Sequence, residues 1–334
     1  MIRDRERRSY GKNEIRGCVD LGSSNFRLLV LDGVFPDSAL EEAHSLEIRS
    51  VREAKRYVGW GDDLAGSGSV SPEKADLAGQ AIRYLAAAAE AWGCPRPSFV
   101  ATNTLRESIN ARAVRSRLEG AAGVSIRVLS QREEAELGYI GASFFRARDE
   151  SVLLVDAGGT STEVSWGTGT SMAGCACLSL GTHRVRRLLD RGSRARRVSA
   201  LLSGSIEESI ARGRARESGV YHLPGFPRDP TMLVTGGTAV SLAMLHRRMR
   251  ESASGFEEMR TITREELSFM ARRLAGLYRA GRQRSLPLDP ERVGLLPAGF
   301  ALIEALVRSF GIEAFRVTAR DLRWGVVLTG GASE

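Results

Sequence analysis

Val19-Asp20-Leu21-Gly22-Ser23 and, 136 positions further on, Val155-Asp156-Ala157-Gly158-Gly159 read as the same device: a strand ending in Asp-x-Gly and turning into a second strand. The first copy sits between the apolar runs Ile15–Leu21 and Phe26–Leu31, the second between Val152–Asp156 and Thr162–Trp166. A duplicated β-hairpin of this kind predicts two similar lobes with a cleft between them. The lobe boundary is expected near Ser130–Tyr139, giving lobes of residues 1–130 and 131–334.

Outward from these hairpins the pattern is that of an α/β protein. A third strand is expected near Ala43–Ile48. Ser71-Pro72 is an N-cap followed by proline at the first helical position, predicting a helix to about Ala91. Strand Phe99–Thr102, helix Ala111–Leu118 and strand Ser125–Leu129 complete the first lobe, and helix Arg132–Phe145 follows the boundary. In the second, strand Met172–Leu178 precedes helices within Thr182–Asp190 and Arg196–Arg214. Strand Thr231–Val234, loop Pro224–Pro230, helices Ala298–Phe310 and Leu322–Leu328, and strand Phe315–Thr318 follow.

Composition sets outer limits. The chain has 334 residues, 43% hydrophobic and 26% charged, as a globular protein does. It holds no apolar run of the roughly 20 residues a membrane helix needs. The charged N-terminal stretch Met1–Arg8 resembles neither signal peptide nor anchor, so a cytoplasmic location and no membrane partner are expected. Cys18, Cys94, Cys175 and Cys177 are too scattered for a disulfide scaffold, and no second ligand pair suggests zinc. The formal charge of +8 suits anionic substrates. All but three of the basic side chains (Lys12, Lys55 and Lys74) are arginine, and no basic run is interleaved with aromatics, so no nucleic-acid partner is expected.

A strand that ends in Asp-x-Gly and turns back offers consecutive backbone N–H groups to an anion. Glycine permits the φ values and the close approach this needs. Gly22, Ser23, Ser24 and Asn25 in the first loop, and Gly158, Gly159, Thr160 and Ser161 in the second, are the candidate phosphate-binding residues. Asp20 and Asp156, at the strand ends, suit a cation better than a phosphate. Arg106, after the buried strand at Ala101, can fork onto phosphate oxygens. Glu133-Glu134 opens a helix and offers a general base, though acids are favoured in any first helical turn. Thr235-Gly236-Gly237-Thr238 is another strand-to-helix turn whose helix N-terminus could meet an anion. His183 follows the Ser179-Leu180-Gly181 turn and could touch substrate, but a solvated loop residue is the expectation. Arg184, Arg187, Arg191 and Arg194 would line one face of a continued helix and could guide a long polyanion.

Taken in order, these segments resemble the exopolyphosphatase and guanosine pentaphosphate phosphatase family (Ppx/GppA). The resemblance runs through Asp20–Leu29, Ala101–Arg106, Ser130–Leu137, Asp156–Glu163, Ser179-Leu180-Gly181, Thr235–Thr238, Leu296–Gly299 and Arg320–Gly325. It implies an actin-like, ribonuclease-H-like fold duplicated into two lobes of ATPase type around a central cleft. It implies release of terminal phosphate from inorganic polyphosphate, or of the 5′ γ-phosphate from guanosine pentaphosphate. Glu134 matches the glutamate that activates water, and Glu163 the carboxylate that places the water or a divalent metal. Asp20, Asp156 and Glu163 are the expected ligands of Mg2+ or another divalent cation. An ATPase or sugar kinase of the same superfold, and a non-catalytic polyphosphate or alarmone sensor, are the alternatives; a homodimer is left open. The chain departs from the family pattern at Ser24-Asn25, at Glu136, which adds negative charge to the helix, and at Thr160, where a β-branched residue would resist positive φ. It lacks the histidines and length of the longer members and resembles the short, two-domain form.

Overall fold

Each Asp-x-Gly segment ends the central strand of a sheet in the computed structural model, which describes residues 12–36, 46–190, 229–249 and 261–330 together with 204, 216–217 and 220–221. In the first sheet, β1 (Lys12–Leu21) pairs antiparallel with β2 (Asn25–Phe35), and β2 with β3 (Glu47–Tyr57). On its other side β1 runs parallel to β4 (Ser98–Ala101), which pairs with β5 (Ile126–Val128). The continuous apolar run Leu28–Leu31 is fully buried, as expected of a strand covered on both faces.

Helices α1 (Gly61–Ser67), α2 (Pro72–Ala91), α3 (Asn103–Glu107) and α4 (Ala111–Ala122) connect these strands. The Ser71 hydroxyl accepts the Lys74 N–H, and α2 then buries Ala75, Ala78, Ile82, Leu85 and Ala89, a stripe of three- and four-residue steps. Helix α5 (Gln131–Ser143) leads out of this sheet.

The second sheet repeats the plan. Strands β6 (Ser151–Ala157), β7 (Thr162–Thr168) and β8 (Ser171–Leu178) form an antiparallel meander, after which comes α6 (Thr182–Asp190). Residues Arg216–Glu217 and Val220–Tyr221 form a small ribbon, β9 and β10. Strand β11 (Thr231–Thr235) lies parallel to β6, with α7 (Gly237–Met249), β12 (Thr261–Thr263), α8 (Arg264–Arg279), α9 (Pro290–Ser309), β13 (Ala314–Val317) and α10 (Leu322–Leu328) following. The orders β3-β2-β1-β4-β5 and β8-β7-β6-β11-β13 correspond strand for strand, with β12 added at the far edge. The registers correspond too: Asp20 faces Arg27 across its hairpin, and Asp156 faces Glu163 across the other.

Helices α5 and α10 cross between the sheets at backbone contact. A Cβ on Gly325 would stand 1.9 Å from the Leu137 carbonyl oxygen, and one on Gly141 2.2 Å from that of Asp321. Leu322, Trp324 and Val326–Leu328 of α10 pack on Cys18, Leu29, Leu31 and Val100 of the first sheet.

Several elements differ from expectation. The third strand is Glu47–Tyr57 rather than Ala43–Ile48; its charged sequence EIRSVREAKRY suits an exposed sheet edge. Helix α9 begins at Pro290, eight residues early, and carries Pro297 inside it. Helices α1, α3 and α8 and strands β9, β10 and β12 are additional. The helix expected over Arg196–Arg214 and most of the loop Pro224–Pro230 lie outside the described residues. Among the described residues no helix is long and apolar enough to cross a membrane.

Candidate active site

The two Asp-x-Gly loops meet across the gap between the sheets. A Cβ on Gly159 would fall 2.2 Å from Ser23 Oγ, and one on Gly61 3.0 Å from Thr160 Cγ2. Gly22, Gly158 and Gly159 all keep negative φ, contrary to the conformational reason expected for them. Space is what they supply, since a Cβ would lie 3.0 Å from the Asn25 carbonyl oxygen at Gly22 and 2.8 Å from that of Ser161 at Gly158. Thr160 has negative φ as well and is buried, so its branched side chain is accommodated without strain.

The loop carbonyls are already bonded to protein donors. Trp60 Nε1–H donates to Gly22 O (2.9 Å), Gly61 N–H to Ser23 O (2.8 Å), and both Val58 and Gly59 N–H to Ser24 O (2.9 Å each). Thr182 and His183 N–H donate to Gly158 O (3.1 Å) and Gly159 O (2.7 Å). Oxygens that would repel a phosphate are therefore occupied.

One cleft is lined by Asp20, Gly22, Ser23, Ser24 and Asn25 from the first loop, and by Asp156, Gly158, Gly159, Thr160, Ser161 and Glu163 from the second, with Glu134 between them. Arg106 does not line it. Its guanidinium donates to Glu134 Oε2 (2.8 Å), Leu129 O (2.9 Å) and Asn103 Oδ1 (3.2 Å), so it orients the glutamate and is not aimed at the cleft.

The glutamate pair on α5 divides its roles. Glu133 closes a capping box: its N–H donates to Ser130 Oγ (3.2 Å) and its Oε2 accepts the Ser130 N–H (2.8 Å). Those bonds to Ser130, with Arg127 beside it, pull its carboxyl down to about 2. Glu134, one residue on, faces the cleft, and burial lifts its carboxyl to about 7 against the pull of Arg106. Glu136 is exposed and outside the cleft, so its charge does not enter the anion site as expected.

Negative charge is concentrated at the cleft floor. Burial, reinforced by the Asp321 carboxylate, raises Asp156 to about 7. Burial, then Glu134 and Asp156, raise Glu163 well above the usual carboxylate range. Asp20 is raised by burial in spite of Arg27. Asp20 Oδ1 and Glu163 Oε1 are buried without a hydrogen-bond partner. Among the described residues no three acidic, histidine or cysteine side chains gather into a metal cage. Buried carboxylate oxygens without partners nonetheless suit a hard cation whose remaining ligands are water and phosphate oxygen.

Several residues in or beside the cleft have roles that the sequence does not assign. Arg27 pairs with Asp20 (3.1 Å) and with Asp321 (2.8 Å), and Arg323 forks onto Asp321 at 3.0 Å through both Nε and Nη2. Burial opposes ionisation of Asp321, but Arg27 and Arg323 outweigh it and hold the carboxyl low. Arg292 lines the cleft over the start of α7, and its guanidinium has no ion pair or hydrogen bond among the described residues. Burial, with Arg27 nearby, makes its charge costly to hold. His183 is fully buried rather than solvated, and Arg184 and Arg187 turn to the first lobe, donating to Glu107 (3.2 Å) and to the Ala65 carbonyl. They are thus committed to the seam, and Arg191 and Arg194 lie outside the described residues. Arg320–Arg323 was visible as a motif; the seam contacts span more than 75 residues of sequence and leave no local trace.

Comparisons with known proteins agree with this architecture. The model of the Ppx/GppA phosphatase family matches residues 39–332. The structure is similar to that of an exopolyphosphatase from Cytophaga hutchinsonii, with TM-score 0.78 and 18% identity over 96% of this chain and 99% of that one. It is similar also to the Aquifex aeolicus member of the Ppx/GppA family, with TM-score 0.71 and 18% identity over 96% and 98% of the two chains. Identity this low shows the fold alone: a duplicated, actin-like arrangement of two α/β lobes about a cleft.

Proposed function

The chain belongs to the Ppx/GppA phosphatase family, and from that premise we propose that it releases the terminal phosphate of inorganic polyphosphate, or the 5′ γ-phosphate of guanosine pentaphosphate. The observation that carries this reading is Glu134, a carboxyl lifted to about 7 that lines the same cleft as both Asp-x-Gly loops. A base with that affinity for a proton can take one from water near neutral pH and pass it on.

Phosphoryl transfer is governed by positioning and charge neutralisation. The hydroxyls of Ser23, Ser24, Thr160 and Ser161 and the loop N–H groups receive the phosphate oxygens. Arg292, whose guanidinium has no ion pair or hydrogen bond among the described residues, supplies a cation, and Arg27 a second, already shared with Asp20 and Asp321. Arg106 acts through Glu134, fixing its carboxylate toward the water that attacks phosphorus. Asp20, Asp156 and Glu163 would hold Mg2+ or another divalent cation together with the substrate, and the cation would neutralise phosphate charge. Glu163 also places the attacking water.

Phosphate release from long-chain polyphosphate, guanosine pentaphosphate and ATP, each with and without Mg2+, tests the assignment. Release from either of the first two supports it. Release from ATP alone would indicate an ATPase or kinase instead, and tight binding of polyphosphate without turnover would indicate a sensor.

A further inference from the structure

Cys175 and Cys177 stand two apart on β8 and therefore share one of its faces. Ala176 between them packs on the core of the second lobe, so the two thiols face α5, which lies against the same strand. They are in hydrogen-bond contact with one another, and Cys177 Sγ lies 3.6 Å from the carbonyl oxygen of Gln131, the first residue of α5. Both are only partly buried, whereas Cys18 and Cys94 are enclosed in the core. The bond from Cys177, with the Arg132 guanidinium near, lowers the Cys175 thiol to about 7 against burial and the charge of Glu136. A partly exposed thiol beside a cation is a nucleophile at neutral pH, and a second thiol in contact with it can resolve the product.

Joining the two sulfurs would move the strand. Cα atoms two apart along a strand are separated by about 6.6 Å, at the long end of the roughly 4.4–6.8 Å that a disulfide spans. Closing the bond therefore draws β8 in at Ala176. Among the described residues β8 is the edge of its sheet, paired with β7 alone, so it can bend with only one ladder disturbed. A bond formed against that bend is also one that small thiols reduce readily. The catalytic groups lie alongside. Cys177 is directly opposite Glu163 in the register of β7 and β8, so the two side chains leave the sheet on the same face. Just past β8, the Thr162 hydroxyl donates to Leu180 O at 2.6 Å. Gly181 packs so closely on the second phosphate loop that a Cβ there would lie 2.4 Å from Thr160 N. Gln131, the neighbour of Cys177, begins the helix that carries Glu134.

We propose that Cys175 and Cys177 form an oxidation site for hydrogen peroxide, and that the disulfide made there slows phosphate release by displacing Glu163 and the second phosphate loop. The effect on phosphate release rests on the phosphohydrolase reading above. In the first step the Cys175 sulfur attacks a peroxide oxygen. The S–O bond forms, the O–O bond breaks, and hydroxide leaves and takes up a proton. In the second the Cys177 sulfur attacks the sulfenic acid on Cys175. The S–S bond forms, the S–O bond breaks, and water leaves with the Cys177 proton. The two thiols together lose two electrons, and one hydrogen peroxide becomes two waters. A small dithiol such as dithiothreitol reverses the change by exchange.

The test is to treat the reduced chain with hydrogen peroxide, remove the excess with catalase, and follow phosphate release from polyphosphate and from guanosine pentaphosphate with Mg2+. Full oxidation should lower kcat by about 10²-fold, as a small misplacement near the chemistry does, and dithiothreitol should restore it. In the oxidised chain the peptide holding both cysteines should lose the mass of two hydrogen atoms. Cys175→Ser should be as active as the reduced native chain and should resist peroxide. Cys177→Ser should stop at a sulfenic acid on Cys175, which dimedone traps. Free thiols at both positions after peroxide, a disulfide in a chain as active as its reduced form, or inactivation that proceeds unchanged in Cys175→Ser would each overturn the proposal and leave the phosphohydrolase reading standing. A reduced chain that releases phosphate from neither substrate would remove the phosphohydrolase reading and the effect on release with it, and the peptide masses would still decide whether the two thiols pair.

Discussion

Glu134 and Asp156 show how burial prepares a carboxylate for work at neutral pH. Both are lifted to about 7, from ordinary values of 4.5 and 3.8. Glu134→Gln should reduce turnover by roughly 10²–10⁴-fold while polyphosphate binding, read by calorimetry, persists. It should also erase the rise in kcat/KM through about pH 7 that ionisation of the base predicts. The same shifts carry a stability cost. Between the unfolded and folded values the native state keeps protons that the unfolded chain has released, so stability falls as pH rises from about 4 to about 7. Asp156→Asn removes that penalty. Without ligand it should be more stable than the native chain at pH 8, by on the order of 2–4 kcal/mol, and little different at pH 4. Urea titrations at both pH values measure this; equal midpoints at pH 8 would show that Asp156 is not held in its acid form.

At the scale of elements, glycine has opposite meanings at two places. Gly325 in α10 lies against the Leu137 carbonyl of α5, where no rotamer can relieve an added Cβ. Gly325→Ala should cost at least about 1–3 kcal/mol and lower the melting temperature. Gly276 in α8 meets nothing within 4 Å and is helical, so Gly276→Ala should stabilise by about 0.5–1 kcal/mol. Thermal melts of both variants check the contrast. Such contacts mark the limit of what the sequence discloses. The hairpins, the Ser71-Pro72 helix start and α10 were legible because each has a local signature. Strand β3 is hard to place because an edge strand written EIRSVREAKRY has no apolar alternation, and the start of α9 is obscured by Pro297 in its interior. At the site, the loop residues could be named from spacing. Spacing alone leaves Glu133 and Glu134 equivalent, and the resemblance singles out Glu134; that Arg106 turns to Glu134 depends on packing around Leu129. The bonds of His183 to Asp62 and Ser24, 121 and 159 positions away, have no local signature.

The whole molecule places its acids and its cations on both sides of one cleft, which makes metal, substrate and lobes a single linked system. Asp20 comes from the first sheet, Asp156 and Glu163 from the second, and the lobes are joined across the mouth by Lys55–Asp289, Arg184–Glu107 and Arg186–Asp62. Solvent-accessible pairs of this kind contribute little individually. The larger effect is expected from a bound cation and phosphate chain that contact both loops at once. Three carboxylates with raised proton affinity, and no closed cage among the described residues, predict weak binding of Mg2+ alone. Polyphosphate alone would meet Arg292 but also uncompensated carboxylates. Together each neutralises the charge that repels the other. Melting temperature should therefore rise little with Mg2+ or polyphosphate singly and clearly with both. A ligand at a hundredfold excess over its Kd adds about 2.7 kcal/mol to stability, equivalent to several degrees. Asp156→Ala should abolish the excess of the joint effect over the sum of the separate ones. Additive shifts in the native chain, or full phosphate release in excess chelator, would mean that Arg27, Arg292 and the loop N–H groups neutralise the phosphate unaided.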